Sequence, residues 1–107
     1  ASFNGVYMVA DRASLIAGAH RLQPVLVVAD LALAEGDVAA LLAELHRAAP
    51  HSPALLLSDY DDARVDAAAL AAGAAGVVHK SSLAADLSAA VEAVLAGGRF
   101  GSPGAMR

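Results

Sequence analysis

The sequence has 107 residues, a net charge of −4, no cysteine, and 4% aromatic residues against 58% hydrophobic ones. This length allows one domain, and the lack of cysteine excludes disulfides and cysteine metal sites. The acidic balance argues against direct nucleic-acid binding, because neutralising phosphates needs a clustered basic face. No apolar run approaches the roughly 20 residues of a membrane span, so we expect a cytoplasmic domain without membrane contact.

Four short apolar runs predict the strands of the domain. They cover residues 6–9, 25–29, 54–57 and 76–78. Three of these runs are continuous rather than alternating, which is typical of parallel strands that are covered on both faces. The pattern therefore favours a parallel sheet buried between helices.

The segments between these runs predict four helices. Residues 11–22 and 36–48 carry apolar side chains at the spacing of an amphipathic helix. The inward faces are Leu15, Ile16, Ala19 and Leu22 in the first helix and Val38, Leu41, Leu42 and Leu45 in the second. A third helix begins at Asp61 or Asp62 and ends at Gly73. The last is capped by Ser81 or Ser82, ends at residues 97–98, and faces inward with Leu83, Leu87, Val91, Val94 and Leu95.

The order of these elements, β-α-β-α-β-α-β-α, defines the fold class. It predicts an α/β fold with right-handed crossovers and a doubly wound parallel sheet as the middle of three layers. Residues 1–98 would form this domain. Residues 99–107, with glycine and proline in their middle, are expected to be a linker or tail.

Polar residues stand where three of the predicted strands end. Asp30 ends the second run, Ser58 the third, and the fourth leads into Lys80. Ligands of such sheets bind outside the carboxyl ends of the strands. A carboxylate, a hydroxyl and an ammonium at that edge suit the transfer of an anionic group. The alternative is structural, with Asp30 and Ser58 capping the next helices and Lys80 as a solvated charge. Spacing alone leaves both interpretations open.

Three segments together resemble the CheY-like receiver domain of bacterial two-component response regulators. They are residues 23–33 (QPVLVVADLAL), 54–58 (ALLLS) and 71–81 (AAGAAGVVHKS), and residues 97–100 (GGRF) add a likeness to the LuxR/NarL-type branch, which carries a helix-turn-helix output domain. The resemblance covers nearly the whole chain. It implies a flavodoxin-like fold in which Asp30 is the phosphoacceptor, Ser58 the hydroxyl that follows the phosphoryl group, and Lys80 the lysine of the site. Asp30 and the backbone carbonyl of Ala32 would be Mg²⁺ ligands.

The chain departs from this family at its start. Receivers begin with a strand that ends in an acidic pair for Mg²⁺, whereas Asp11 matches the end of the family's second strand and is expected to be a helix cap. The family's first strand and first helix have no counterpart here. Since that strand lies between the second and third in the family's sheet, we consider three explanations: an omitted N-terminal segment, which is the simplest, re-paired strands, or another chain in the gap.

Further departures lie around the predicted site. Receivers carry a proline after the phosphoacceptor loop, and this chain has none between Asp30 and Gly36. Asp59 follows Ser58 where a small residue is usual, so its carboxylate would repel a phosphoryl group or contribute to a cation site. Val77 stands where receivers often carry an aromatic switch residue. For His79, the sequence does not decide between the core and a partner-facing surface.

The leading hypothesis is a signalling receiver rather than a metabolic enzyme. A histidine kinase would transfer a phosphoryl group to Asp30 with Mg²⁺, provided that the acidic pair is present in the native protein. The change would act on dimerisation or on an output domain that binds DNA. The alternative is a degenerate receiver that serves as a phosphorylation-independent interaction or dimerisation module. A third hypothesis, a small ligand-binding or hydrolytic α/β domain, is weaker because the chain has no glycine-rich phosphate loop or nucleophile-elbow motif.

Overall fold

The fold alternates strands and helices along the chain, as the apolar pattern predicts. The computed structural model describes residues 6–7, 11–59 and 62–98. The elements are β1 (Val6–Tyr7), α1 (Arg12–Leu22), β2 (Leu26–Asp30), α2 (Val38–Ala48), β3 (Ala54–Ser58), α3 (Ala63–Ala71), β4 (Gly76–His79) and α4 (Leu83–Leu95). Short 3-10 turns cover Leu31–Ala34 and Lys80–Ser82. The predicted tail, residues 99–107, lies outside the described residues.

The four described strands form one parallel sheet in the order β1-β2-β3-β4. The resemblance implied a further strand between the first two. Instead, β1 pairs directly with β2 through Val6 with Leu26 and Tyr7 with Val27. The two strands that flank the gap thus contact each other directly, and the strand order does not reverse within the described sheet.

Helices cover the sheet on both faces, which confirms the layered α/β fold. One core cluster joins α1, α2 and α3 to the face of the sheet that carries Val27, Leu56 and Val77. The other joins α4 to the opposite face, which carries Val28 and Leu55. Right-handed crossovers between strands that follow one another in the sheet place their helices on the same side, so the three connecting helices share one face.

Aspartates begin three of the four helices, because a carboxylate can accept one of the backbone N–H groups that a first turn leaves unpaired. Asp11 accepts from Ser14 N at 2.9 Å, and Asp37 accepts from Ala40 N at 3.0 Å. Asp62 caps α3, as predicted. Ser82 takes the N-cap position of α4 but makes no side-chain cap hydrogen bond.

The prediction that Leu22 and Leu95 face the core is wrong. Leu22 is 52% exposed and Leu95 is 46% exposed. Each is the last residue of its helix, where no following turn covers the side chain. Val25, assigned to the second strand, is 53% exposed because that strand begins one residue later, at Leu26.

Candidate functional site

The three residues that the sequence singled out stand at the ends of β2, β3 and β4. Asp30 is the last residue of β2 and Ser58 the last of β3. Lys80 follows β4 directly, and its Nζ donates a hydrogen bond to Asp30 Oδ2, closing an ion pair between positions 50 residues apart. Ser58 is fully buried. The parallel register therefore places a carboxylate, a hydroxyl and an ammonium at one edge of the sheet.

Asp30 also has the structural role of the competing interpretation. Its Oδ1 accepts the backbone N–H of Ala32 at 2.9 Å and so caps the 3-10 turn that follows β2. One oxygen of the carboxylate thus orients the side chain, while the other faces Lys80. This double engagement fixes the direction of the carboxylate, so the capping and site interpretations do not exclude each other for Asp30.

Lys80 holds a second carboxylate, that of Asp59. Its Nζ lies 3.3 Å from Asp59 Oδ1, and the Asp59 side chain is 62% exposed, against 34% for Asp30. Asp59 stands out in the sequence as an unusual charge, but the sequence does not predict its pairing with Lys80. Lys80 is the only lysine in the 107-residue sequence, and its ammonium contacts both of these carboxylates.

The ion pair shifts the protonation equilibria of both partners toward their charged forms. Partial burial acts to raise the pKa of Asp30, but the hydrogen bonds from Lys80 and from the Ala32 amide outweigh it, so the pKa of Asp30 is lowered. The hydrogen bond to Asp30 raises the pKa of Lys80 against its partial desolvation, and Asp59 adds to the rise. At neutral pH the site therefore carries an ionised carboxylate beside an ammonium.

The predicted Mg²⁺ ligands are already engaged by protein donors. Lys80 and the Ala32 amide donate to the two Asp30 oxygens, and the Ala32 carbonyl accepts the N–H of Glu35 at 3.1 Å. Within residues 11–59 and 62–98, no group of three or more acidic or histidine side chains could hold a metal ion. Mg²⁺ at phosphate sites takes one or two carboxylates plus substrate oxygens and waters. The described residues alone do not fit a complete Mg²⁺ site.

A buried polar pair beside this site was missed at the sequence level. His79 Nε2 lies 2.7 Å from Asp66 Oδ2, and Asp66 is fully buried in α3. Asp66 shares the helical face of Ala69, so the period of α3 already placed a carboxylate at a core position. His79 faces the core rather than a partner, which answers the question that the sequence left open.

Comparison with known structures identifies the class of the domain. A two-component response regulator of the LuxR family from Aurantimonas sp. SI85-9A1 is 30% identical, with a TM-score of 0.80 over 92% of this chain and 70% of that one. The apo REC domain of RcsB from Salmonella enterica serovar Typhimurium is 25% identical, with a TM-score of 0.78 over 91% and 71%. A structure of two RcsB dimers bound to two parallel DNAs gives 24% identity and a TM-score of 0.75, over 91% of this chain and 50% of that one.

These likenesses, together with the strand-end site, show that the chain belongs to the receiver-domain family of two-component response regulators. The resemblance stated from the sequence and the flavodoxin-like receiver fold are thereby confirmed. No protein-family model matches the sequence, and no curated protein sequence matches it significantly. In the described part of the chain, every helix is too short or too polar to cross a membrane.

Proposed function

We propose that Asp30 accepts a phosphoryl group from the phosphohistidine of a histidine kinase in the cytoplasm. The observation that carries the proposal is the Asp30–Lys80 ion pair at the strand ends of a receiver-family domain. Its lowered pKa keeps Asp30 ionised at neutral pH, as a nucleophile requires. The family is a signalling class, so the proposed chemistry serves a switch and not the turnover of a metabolite.

The transfer can be followed through the residues of this chain. An Asp30 carboxylate oxygen attacks phosphorus, an O–P bond forms, and the N–P bond to the donor imidazole breaks with both electrons going to the imidazole nitrogen. Lys80 then exchanges the Asp30 oxygen for a phosphoryl oxygen, because the acyl phosphate carries its charge on the phosphoryl group. Ser58, at the end of the neighbouring strand, is assigned to donate its hydroxyl hydrogen to a second phosphoryl oxygen.

The consequence of transfer would be a population shift on the face built from α3, β4 and α4. We propose that this shift changes homodimerisation or contacts with an output domain. The RcsB structure contains dimers bound to DNA, which supports this direction. The net charge of −4 assigns any DNA contact to an output domain rather than to this chain. A Mg²⁺ requirement stays conditional on an acidic pair outside the described site.

A second candidate, a receiver-like interaction module that is never phosphorylated, is favoured by two observations. The carboxylate of Asp59 pairs with Lys80, the cation that a phosphoryl group would need. The described residues also lack a complete metal site. In this alternative the Asp30–Lys80 pair is structural, and the domain acts by dimerising or docking alone.

Intact mass spectrometry separates the two candidates. The protein is incubated with a small phosphodonor such as acetyl phosphate, with and without Mg²⁺, beside Asp30→Asn and the matched control Asp37→Asn. Asp37 caps α2 away from Lys80, and Asn is an equally good cap. We expect one phosphoryl adduct on the parent and on Asp37→Asn, and none on Asp30→Asn. No adduct on any variant, in a protein shown to be folded, would refute the transfer and favour the interaction module.

A further inference from the structure

Helix α3 is held on the sheet in a different way from the other helices. It is the one described helix in which no leucine, isoleucine or valine is buried: its buried residues are Asp66 and Ala69, and Leu70 packs against the core while partly buried. By contrast, α2 buries three leucines, Leu41, Leu42 and Leu45. Alanine buries little apolar area, and hydrophobic stabilisation grows with that area. Asp66 is therefore one of the two buried side chains that hold α3 on the sheet, beside the partly buried Leu70.

Asp66 is attached to the sheet by one hydrogen bond. Its Oδ2 contacts His79 Nε2 at 2.7 Å, whereas its buried Oδ1 has no hydrogen-bond partner. His79 is 7% exposed, so water shields neither group. A buried carboxylate is costly unless it is paired. Removing either side chain would break this buried hydrogen bond between α3 and β4.

His79 connects this anchor to the phosphoacceptor site through the backbone. It is the last residue of β4, and the next residue, Lys80, places its ammonium on Asp30. In the sheet register His79 lies opposite Ser58. The strand end that presents Lys80 is thus held on one side by β3 and on the other by the contact with α3.

We propose that Asp66 is a positioning residue: through His79 it latches α3 to the end of β4 and thereby sets the position of Lys80. The latch acts on the same site as the proposed phosphoryl transfer, and its significance for signalling rests on that function. The contact itself does not depend on phosphoryl transfer, because the docking of α3 and the position of Lys80 are properties of the unmodified protein.

The first test measures the docking of α3 by amide hydrogen exchange in Asp66→Ala. The matched control is Asp86→Ala, which removes a half-buried aspartate from the first turn of α4. We expect exchange in α3 to become roughly tenfold faster or more, because the change breaks the buried hydrogen bond between α3 and β4. Exchange in α2 should stay at the parent rate, and Asp86→Ala should match the parent throughout. Parent-like exchange in α3, or equal acceleration in every helix, would overturn the latch.

The second test uses the fact that Lys80 is the only lysine. An amine-reactive acylating reagent can label Lys80 and the N-terminus, and peptide mass spectrometry separates the two. Pairing with Asp30 and Asp59 should make the labelling of Lys80 slow in the parent. We expect severalfold faster labelling of Lys80 in Asp66→Ala and an unchanged rate at the N-terminus. An unchanged Lys80 rate beside a loosened α3 would refute the positioning role.

A rescue variant distinguishes the loss of the Asp66–His79 contact from general damage to the fold. Asp66→Leu combined with His79→Leu replaces the buried pair with apolar side chains, a change that is often neutral or stabilising. The latch proposal requires α3 exchange and Lys80 labelling to return together to parent values. Recovery of exchange without recovery of labelling would contradict the link between the two. A protein that fails to form an adduct on Asp30 yet passes these tests would refute phosphoryl transfer and leave the latch standing.

Discussion

At the scale of single residues, the balance of charge at Lys80 determines how the site receives an anion. One ammonium contacts Asp30 and Asp59, so the three groups carry a net charge of about −1 when all are ionised. An incoming phosphoryl donor adds further negative charge. Two unit charges about 5 Å apart in water repel by roughly 1 kcal/mol, which is enough to slow the approach of the donor severalfold.

We therefore predict that Asp59→Asn accelerates phosphorylation by acetyl phosphate by about two- to fivefold. The amide keeps the size of the side chain and removes its charge, which leaves Lys80 with one carboxylate. The initial rate of adduct formation on Asp30, measured by mass spectrometry, is the readout. The acceleration should shrink as ionic strength rises, because exposed charges are screened. A rate equal to that of the parent would show that the Asp59 charge does not oppose the donor, and a lower rate would show that Asp59 assists the site.

Gly73 shows how backbone conformation constrains a single position. Its φ of +112° lies in the region that favours glycine, and an added Cβ would come within 3.0 Å of His46 Cε1. We predict that Gly73→Ala lowers the free energy of unfolding by more than about 1 kcal/mol. Gly36→Ala is the matched control, since φ is +89° there and no atom lies within 4 Å. Urea denaturation should rank Gly73→Ala as the more destabilising change, and equal effects would exclude the contact with His46.

At the scale of elements, the cap of α3 couples that helix to pH. The pKa of Asp62 is lowered, first by the hydrogen bond from the backbone N–H of Arg64 and then by the Arg64 side chain. A carboxylate with a lowered pKa in the folded protein stabilises above its unfolded pKa, and this contribution is lost as pH falls through the folded value. The start of α3 should therefore loosen in acid.

Comparison with Asp62→Asn isolates this effect, because asparagine caps a helix about as well and does not titrate. We predict that the parent loses stability relative to Asp62→Asn as the pH falls from 6 to below about 4. Urea midpoints are measured on both proteins at each pH. The difference in stability between the two proteins isolates Asp62, because the other carboxylates contribute equally to both. A difference that is independent of pH would show that the ionised form of Asp62 contributes nothing to the cap.

The elements themselves could be predicted because their signals are local. Continuous apolar runs and capping aspartates predict the strands and helices, and the rule that ligands bind at the carboxyl ends of parallel strands predicts that Asp30 and Lys80 lie together. The features that could not be predicted depend on how neighbouring elements pack against a residue. Leu22 and Leu95 fit an inward period but lie where their helices end. The pairing of Asp66 with His79 joins two elements, and a contact of that kind has no signature in either segment alone.

At the scale of the whole molecule, the two faces of the sheet are covered unequally but share the same strands. Three helices pack on one face and α4 alone on the other. Consecutive residues of β3 divide between them: Leu55 belongs to the α4 cluster and Leu56 to the three-helix cluster. Because neither cluster can lose β3 without exposing the other, the domain should unfold as one unit.

This coupling predicts that Leu55→Ala and Leu56→Ala have the same kind of effect despite facing opposite layers. Each removes a fully buried side chain, so each should lower the free energy of unfolding by about 2–5 kcal/mol. Leu22→Ala, at a position that is 52% exposed, should change it by less than about 1 kcal/mol. In each variant, urea transitions followed by far-UV circular dichroism and by hydrogen exchange of α2 and α4 should coincide. If Leu55→Ala released α4 at a urea concentration where α2 stays protected, the two layers would be separate units, and the shared sheet would not be what makes this receiver fold cooperative.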